Sequence, residues 1–126
     1  MVVTRDLCGR CYQSLLLDEL EEYAAVIEEL SRVIAADPRC VAALNNRGLA
    51  YAEAGFREAA ERDFAAASKL TRSEIAPLKN WGMALVSYED LPGALAKFEA
   101  ASKIDSSDET LHRCIAYVRQ RMNGHG

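Results

Sequence analysis

Apolar and small side chains recur along this chain at intervals of three and four residues, the spacing of one helical face. Leu44, Gly48, Tyr51 and Ala52 form one such stripe, and Gly55 follows it. Glycine suits the left-handed residue just beyond a helix C-terminus, so the pattern predicts a helix that stops there. A second helix is predicted from about Arg57 to Leu70, with Ala60, Phe64 and Ala67 on one face. A third runs from about Glu74 to Tyr88. Asp90 is placed to cap a fourth, with Pro92 in its first turn, where a missing N–H costs little. That helix ends near Ile104. Upstream, a fainter pattern reads as helices at about 5–20 and 23–36, separated at Glu21. Ser107-Asp108-Glu109 opens a last helix. Its apolar stripe is Leu111, Ile115, Val118 and Met122, with Cys114 beside it. His112, Arg113, Arg119, Gln120 and Arg121 lie mostly off that stripe. The expectation is an all-α chain.

These helices fall into a 34-residue register. Residues 41–74 and 75–108 share Ala42/Ala76, Leu44/Leu78, Asn46/Asn80, Gly48/Gly82, Ala60/Ala94, Phe64/Phe98, Ala67/Ala101 and several more identities. An earlier copy over 7–40 keeps size classes rather than identities. Ser14 stands where Gly48 does, Val26 where Ala60 does, Leu30 where Phe64 does and Val33 where Ala67 does. Asp37-Pro38 marks the turn into the middle copy. A period of this length signals a stacked solenoid, and solenoids present extended binding surfaces. No linker or low-complexity run divides residues 1–126, so one domain is expected. It comprises repeats at about 7–40, 41–74 and 75–108 and a capping helix at about 108–122.

The residues that carry the register resemble the tetratricopeptide repeat (TPR) family. In the middle copy they are Gly48, Tyr51, Gly55, Ala60, Phe64 and Ala67. In the third they are Gly82, Leu85, Ala94, Phe98 and Ala101, and in the first Leu17, Tyr23, Leu30 and Pro38. Small residues let two antiparallel helices approach, and large ones fill the holes between pairs. There are departures. Arg47 stands where the family usually has Leu, with Trp81 in the same slot one repeat on. Arg72 and Ser106 replace the turn proline, and Glu21 and Glu89 replace the glycine seen at Gly55.

The resemblance implies a right-handed α-α superhelix of three helix-turn-helix repeats, ended by the capping helix. It also implies a non-enzymatic scaffold, adaptor or chaperone-like module. Its concave groove, lined by the first helix of each pair, would hold a peptide or helix of another protein. By register the groove candidates are Tyr12, Leu15 and Glu19; Asn45, Asn46, Leu49 and Glu53; and Lys79, Asn80, Met83 and Ser87. Asn46 and Asn80 occupy matching points, and an amide both donates to and accepts from a peptide backbone. The plainer reading makes them solvated polar positions. One subgroup of the family clamps the C-terminal carboxylate of heat-shock chaperones with Lys, Asn, Asn, Lys and Arg. The matching positions are Cys11, Leu15, Asn46, Ala76 and Asn80, and only Asn46 agrees. The cations that would hold a carboxylate are missing. Lys79 could substitute, although an ordinary exposed lysine is the simpler reading.

Charge and candidate chemistry narrow this further. The net charge of −4 argues against nucleic acid as a partner, since phosphate binding needs a basic face. No apolar stretch is long enough to span a bilayer. No signal peptide pattern opens the sequence, and four cysteines without a dense framework fit a reducing, cytoplasmic setting. Cys8-Gly9-Arg10-Cys11 is a CxxC, but no strand precedes it and no second ligand pair completes a zinc site. Thiol or metal chemistry there is a minor alternative. His112 and His125 fall in no nucleophile motif, so no enzyme, cofactor or metal is expected. Residues 1–36 carry seven carboxylates against three arginines, and residues 109–126 three arginines against one glutamate. Ends of opposite sign raise self-association through the end faces as the alternative function.

Overall fold

The structure is a computed structural model that describes the backbone of residues 12–124 and the side chains from residue 19 onward. These residues form six helices: α1 (Tyr12–Ala36), α2 (Val41–Ala54), α3 (Arg57–Leu70), α4 (Ala76–Ser87), α5 (Leu91–Ile104) and α6 (Glu109–Gly124). Helices α2 and α3 make one antiparallel pair and α4 and α5 the next. Helix α1 packs on α2, and α6 packs on α5. The first helices of the pairs also touch one another, α2 against α4 and α4 against α6, so α2, α4 and α6 make one row.

Each pair is set by a glycine facing a phenylalanine. Gly48 and Gly82 are buried in mid-helix, and Phe64 and Phe98 are buried opposite them. A methyl group on Gly48 would lie 2.8 Å from Phe64 Cε1, and one on Gly82 would lie 2.5 Å from Phe98 Cε1. The ring therefore lies directly on the backbone of the neighbouring helix. Around Phe98 gather Leu85, Ala94, Ala101, Leu111, Ile115 and Val118, so the last helix completes the core of the third repeat. Phe64 packs with Ala60 and Ala84. Trp81 and Tyr88 border both clusters and join them.

Polar contacts pin the same joints. Arg47 on α2 donates from Nε to Asp63 Oδ2 at 2.7 Å and from Nη2 to Oδ1 at 2.8 Å, and from Nη1 to Ser31 Oγ of α1 at 3.0 Å. Asp63 is buried, and this two-pronged guanidinium contact holds its charge. One repeat on, the same two positions are Trp81 and Lys97, and Lys97 Nζ sits 3.7 Å over the Trp81 ring. An ion pair has been exchanged for a cation–π contact at one register. Glu61 on α3 accepts from Arg57 Nε at 2.8 Å and from Trp81 Nε1 at 3.3 Å, tying the middle pair to α4.

The turns repeat as well. Gly55 is left-handed (φ 95°), and Phe56 N–H donates to Tyr51 O at 2.8 Å. At the matching turn Glu89 is left-handed (φ 67°), and Asp90 N–H donates to Leu85 O at 2.9 Å. Asp90 then caps α5 by accepting from Gly93 N–H at 3.0 Å, as expected. At each repeat boundary a side-chain oxygen accepts from the N–H two residues on: Asp37 from Arg39, Thr71 from Ser73 and Asp105 from Ser107.

Two expectations need correction. Helix α4 begins at Ala76 rather than Glu74, because Thr71 Oγ1 accepts from both Ser73 and Glu74 N–H and holds 71–75 as a loop. More important, the break expected at Glu21 is absent, and one helix runs from Tyr12 through Ala36. The first copy therefore lacks a helix-turn-helix over its described residues. Glu89 turns because Pro92 cannot continue α4 and Asp90 restarts a helix. At the corresponding places in the first copy stand Ala24 and Glu22, which end nothing. The part of the first copy before Tyr12 lies outside the described residues.

Three stability measurements follow from these contacts. Gly82→Ala should lower unfolding stability by about 2 kcal/mol in urea titrations, even though alanine is the better helix former by ~1 kcal/mol. Glu89→Gly should raise stability by about 0.5–1 kcal/mol, the relief of a left-handed side chain less a weak surface contact to Arg121. Asp63→Ala strands Arg47 and should cost about 3 kcal/mol, while the double change Arg47→Leu/Asp63→Leu should cost clearly less. Equal losses from the single and the double change would show that the ion pair is not the dominant contact.

Candidate functional site

The row of α2, α4 and α6 presents a continuous face whose chemistry changes along its length. Between α2 and α4 it is amidic. Asn80 Nδ2 donates to Asn45 Oδ1 at 3.0 Å, and both side chains are half-buried. The bond orients the two amides and uses neither Asn45 Nδ2 nor Asn80 Oδ1. Leu49 lies below them, partly buried against the Phe64 cluster.

Between α4 and α6 the face is apolar. Met83, Val86, Thr110, Arg113, Cys114 and Tyr117 line a trough of 300 Å³, with Phe98 at its floor. Met83 and Tyr117 are each 49% exposed. Burial pushes the Cys114 thiol up, against the opposing pull of Lys79. The thiol therefore stays neutral near pH 7 and acts as lining rather than as a nucleophile. Tyr117 is held from one side, where Arg121 Nη1 donates to its hydroxyl at 2.8 Å and Nη2 reaches Glu89 at 3.4 Å. Arg113 is exposed at the trough edge.

The expected groove residues distribute unevenly. Asn45, Leu49, Lys79, Asn80 and Met83 come together on this face. Asn46 is exposed and makes no hydrogen bond, so the amide that pairs with Asn80 is Asn45 rather than its repeat equivalent. Glu53 is exposed on the last turn of α2. Ser87 donates its hydroxyl to Ala84 O of its own helix at 2.7 Å. Lys79 is not a free cation, because its Nζ lies 3.4 Å from Asp108 Oδ2, and Asp108 also caps α6 through Leu111 N–H at 2.8 Å. Glu19 lies on α1, and the side chains of Tyr12 and Leu15 fall outside the described residues. Cys8 and Cys11 also lie outside them.

Sequence reasoning missed the α6 wall of the trough by treating that helix only as a cap. The signal was present. Adding one repeat length to Lys79, Asn80 and Met83 gives Arg113, Cys114 and Tyr117, so α6 occupies the place of a fourth first helix. Two of the three arginines of α6 that gave this end its positive charge are engaged within the chain, Arg119 with Glu99 at 2.9 Å and Arg121 with Glu89 at 3.4 Å. Among the described residues no group of three or more His, Cys, Asp or Glu side chains could hold a metal ion. No described helix is long and apolar enough to cross a membrane.

No protein-family model matches the chain, and no curated protein matches it in sequence. Solved structures do match. The first TPR of Spaghetti (RPAP3), bound to the HSP90 peptide SRMEEVD, superposes with a TM-score of 0.73 at 19% identity. The match covers 91% of this chain and 86% of that one. A crystal structure of MamA gives a TM-score of 0.71 at 18% identity over 83% of this chain and 61% of that one. A second MamA structure, MamA MSR-1 C2, gives 0.64 at 24% identity over 80% and 60%. This chain thus spans about three-fifths of each MamA chain. At these identities the likeness is one of architecture, and with the helix pairs, the 34-residue register and the row of first helices described above, it shows that the chain has the all-α, right-handed superhelical fold of tetratricopeptide repeat domains.

Proposed function

We propose that this chain is a protein-interaction module that receives a peptide or helix of another protein along the row of α2, α4 and α6, in the manner of a scaffold or adaptor. The observation that carries the reading is the juxtaposition on one face of an oriented amide pair and an exposed apolar trough. The Asn45–Asn80 pair keeps both donor and acceptor capacity for a backbone, which gives affinity without demanding a particular sequence. The trough under Met83 and Tyr117 has room for one large apolar side chain, the kind of anchor that dominates small interfaces. Arg113 at its rim favours an acidic residue beside that anchor. The RPAP3 domain with the same fold binds a peptide, which supports a protein partner here.

The carboxylate-clamping mode is not proposed. Of its five positions only Asn46 carries the expected residue, and Lys79, the nearest substitute cation, is committed to Asp108. Nothing in the fold calls for catalysis, and the reading is non-enzymatic, with a soluble cytoplasmic setting. Self-association through the charged end faces is a weaker alternative, because Arg119 and Arg121 already have partners in the chain.

Panning a random peptide library on the intact chain tests the reading. Selected peptides should carry an apolar residue flanked by Asp or Glu. Their affinity should fall about tenfold or more, roughly 1.4 kcal/mol, on Met83→Glu and on Asn80→Ala. Phe56→Ser, at the exposed turn between α2 and α3, should leave it unchanged. The peptide SRMEEVD should bind no tighter than about 1 mM in fluorescence anisotropy. Peptides insensitive to both groove substitutions would sink the assignment.

A further inference from the structure

Helix α1 is too long for the helix that supports it. It has 25 residues and packs on α2, which has 14, and it touches no other described helix. At 1.5 Å per residue that is a rod of about 37 Å on a support of about 21 Å. The short turn at 37–40 makes the two helices antiparallel, and Ser31 on α1 meets Arg47 on α2. Ala54 at the end of α2 therefore lies level with Ala24, and residues 12–23 run past the body of the fold. A free helical end of that length is marginal in water. Its chemistry is specific. The sequence puts leucine at 16, 17 and 20, positions that share one helical face. Leu20 is 40% exposed, and its neighbours in the chain are Glu19 and Glu21.

We infer that this overhanging end of α1 docks in the Met83–Tyr117 trough of a second copy of the chain. The inference rests on the groove reading above and names an occupant for it. The match is one of size and of charge. The trough of 300 Å³ takes one large apolar side chain, and Leu20 presents one on the overhang. Arg113 at the trough edge is the one arginine of α6 with no ion pair among the described residues, and Glu21 beside Leu20 is an exposed carboxylate. The wider segments agree in sign. Residues 1–36 carry seven carboxylates against three arginines, and residues 109–126 three arginines against one glutamate, which favours their encounter. The contact joins two copies rather than closing within one. Helix α1 rests on α2, the trough lies beyond it between α4 and α6, and a straight α1 cannot reach it. Overhang and trough are different surfaces, so the contact is heterologous. Copies add head to tail, or close in a ring where the rotation allows. Docking gives the free helical end the support that α2 does not supply.

Analytical ultracentrifugation of the full chain tests the contact by complementation. The wild type should show a mass above one chain that rises with concentration below about 1 mM. Leu20→Glu spoils the overhang and keeps the trough, and Met83→Glu does the reverse. Each variant alone should sediment as single chains. Mixed in equal amounts they should form a pair and nothing larger, since only one contact remains. Neither residue belongs to the buried clusters around Phe64 and Phe98, and thermal melting checks that both variants fold. A synthetic peptide of residues 12–24 should bind the Leu20→Glu chain in fluorescence anisotropy. Adding Arg113→Glu to that chain should weaken the binding about tenfold. A wild type that stays single at every concentration, or a mixture that stays unpaired, would overturn the inference. Panned peptides that still respond to Met83→Glu in that event would leave the groove reading standing. An assembly that Met83→Glu does not weaken would also overturn the inference, since the overhang would then dock elsewhere.

Discussion

The close approach of glycine and phenylalanine within each helix pair is the constraint on which the rest of this structure depends. With Gly48 and Gly82 against the rings of Phe64 and Phe98, the two backbones of a pair are drawn together at one point. Everything else is fixed by rotation about that point. The ring fills the space behind the glycine, so the opposite side of the first helix is turned outward, and successive first helices line up as α2, α4 and α6. The groove face borders the side of the helices that carries the glycine, and Phe98, which lies on Gly82, also forms part of the trough. A substitution at Phe98 would therefore change both the pair and the trough.

Once that geometry is set, the positions flanking it tolerate different chemistry. Arg47 with Asp63, and Trp81 with Lys97, hold the same pair of backbone positions by a buried ion pair and by a cation–π contact. Each sets a large flat group, guanidinium or indole, where it also reaches the preceding helix, Arg47 to Ser31 and Trp81 to Glu61. The middle repeat adds a third attachment, from Arg47 to Ser31, and it is a direct side-chain tie between α1 and the body of the fold. This explains how α1 stays docked even though none of its described side chains is fully buried.

Much of this was legible in the residues. Arg57 and Leu70 were read as the ends of α3, and Asp90 as the cap of α5, because their signals are local: an apolar period of 3.6, a carboxylate before a proline, a glycine after a stripe. What failed was a comparison of like with like. Glu21 and Glu89 share a register with Gly55, yet Glu89 adopts the left-handed turn and Glu21 continues a helix. The residue itself does not decide; Pro92 and Asp90 make continuation costlier than a strained glutamate, and Ala24 and Glu22 do not. The structure pairs Asn80 with Asn45 and leaves its repeat equivalent Asn46 exposed, for a geometric reason. Equivalent residues in stacked repeats face the same way, so they cannot face one another, and the contact across a repeat boundary joins Asn80 to the neighbour of its equivalent.

That last point also determines how the groove face is built. Because equivalents are parallel, a row of them makes a ladder whose rungs point the same way rather than at each other. A contact between neighbouring rungs needs residues one step apart, as Asn45 and Asn80 are. The position one repeat beyond Asn80 is Cys114, which cannot extend an amide ladder but whose neutral thiol can line an apolar wall. The change from amide to thiol at one register position converts the polar half of the face into the trough beneath Met83 and Tyr117. Under the proposed reading, this puts on one surface the two things a peptide needs, a backbone partner and a place for a side chain.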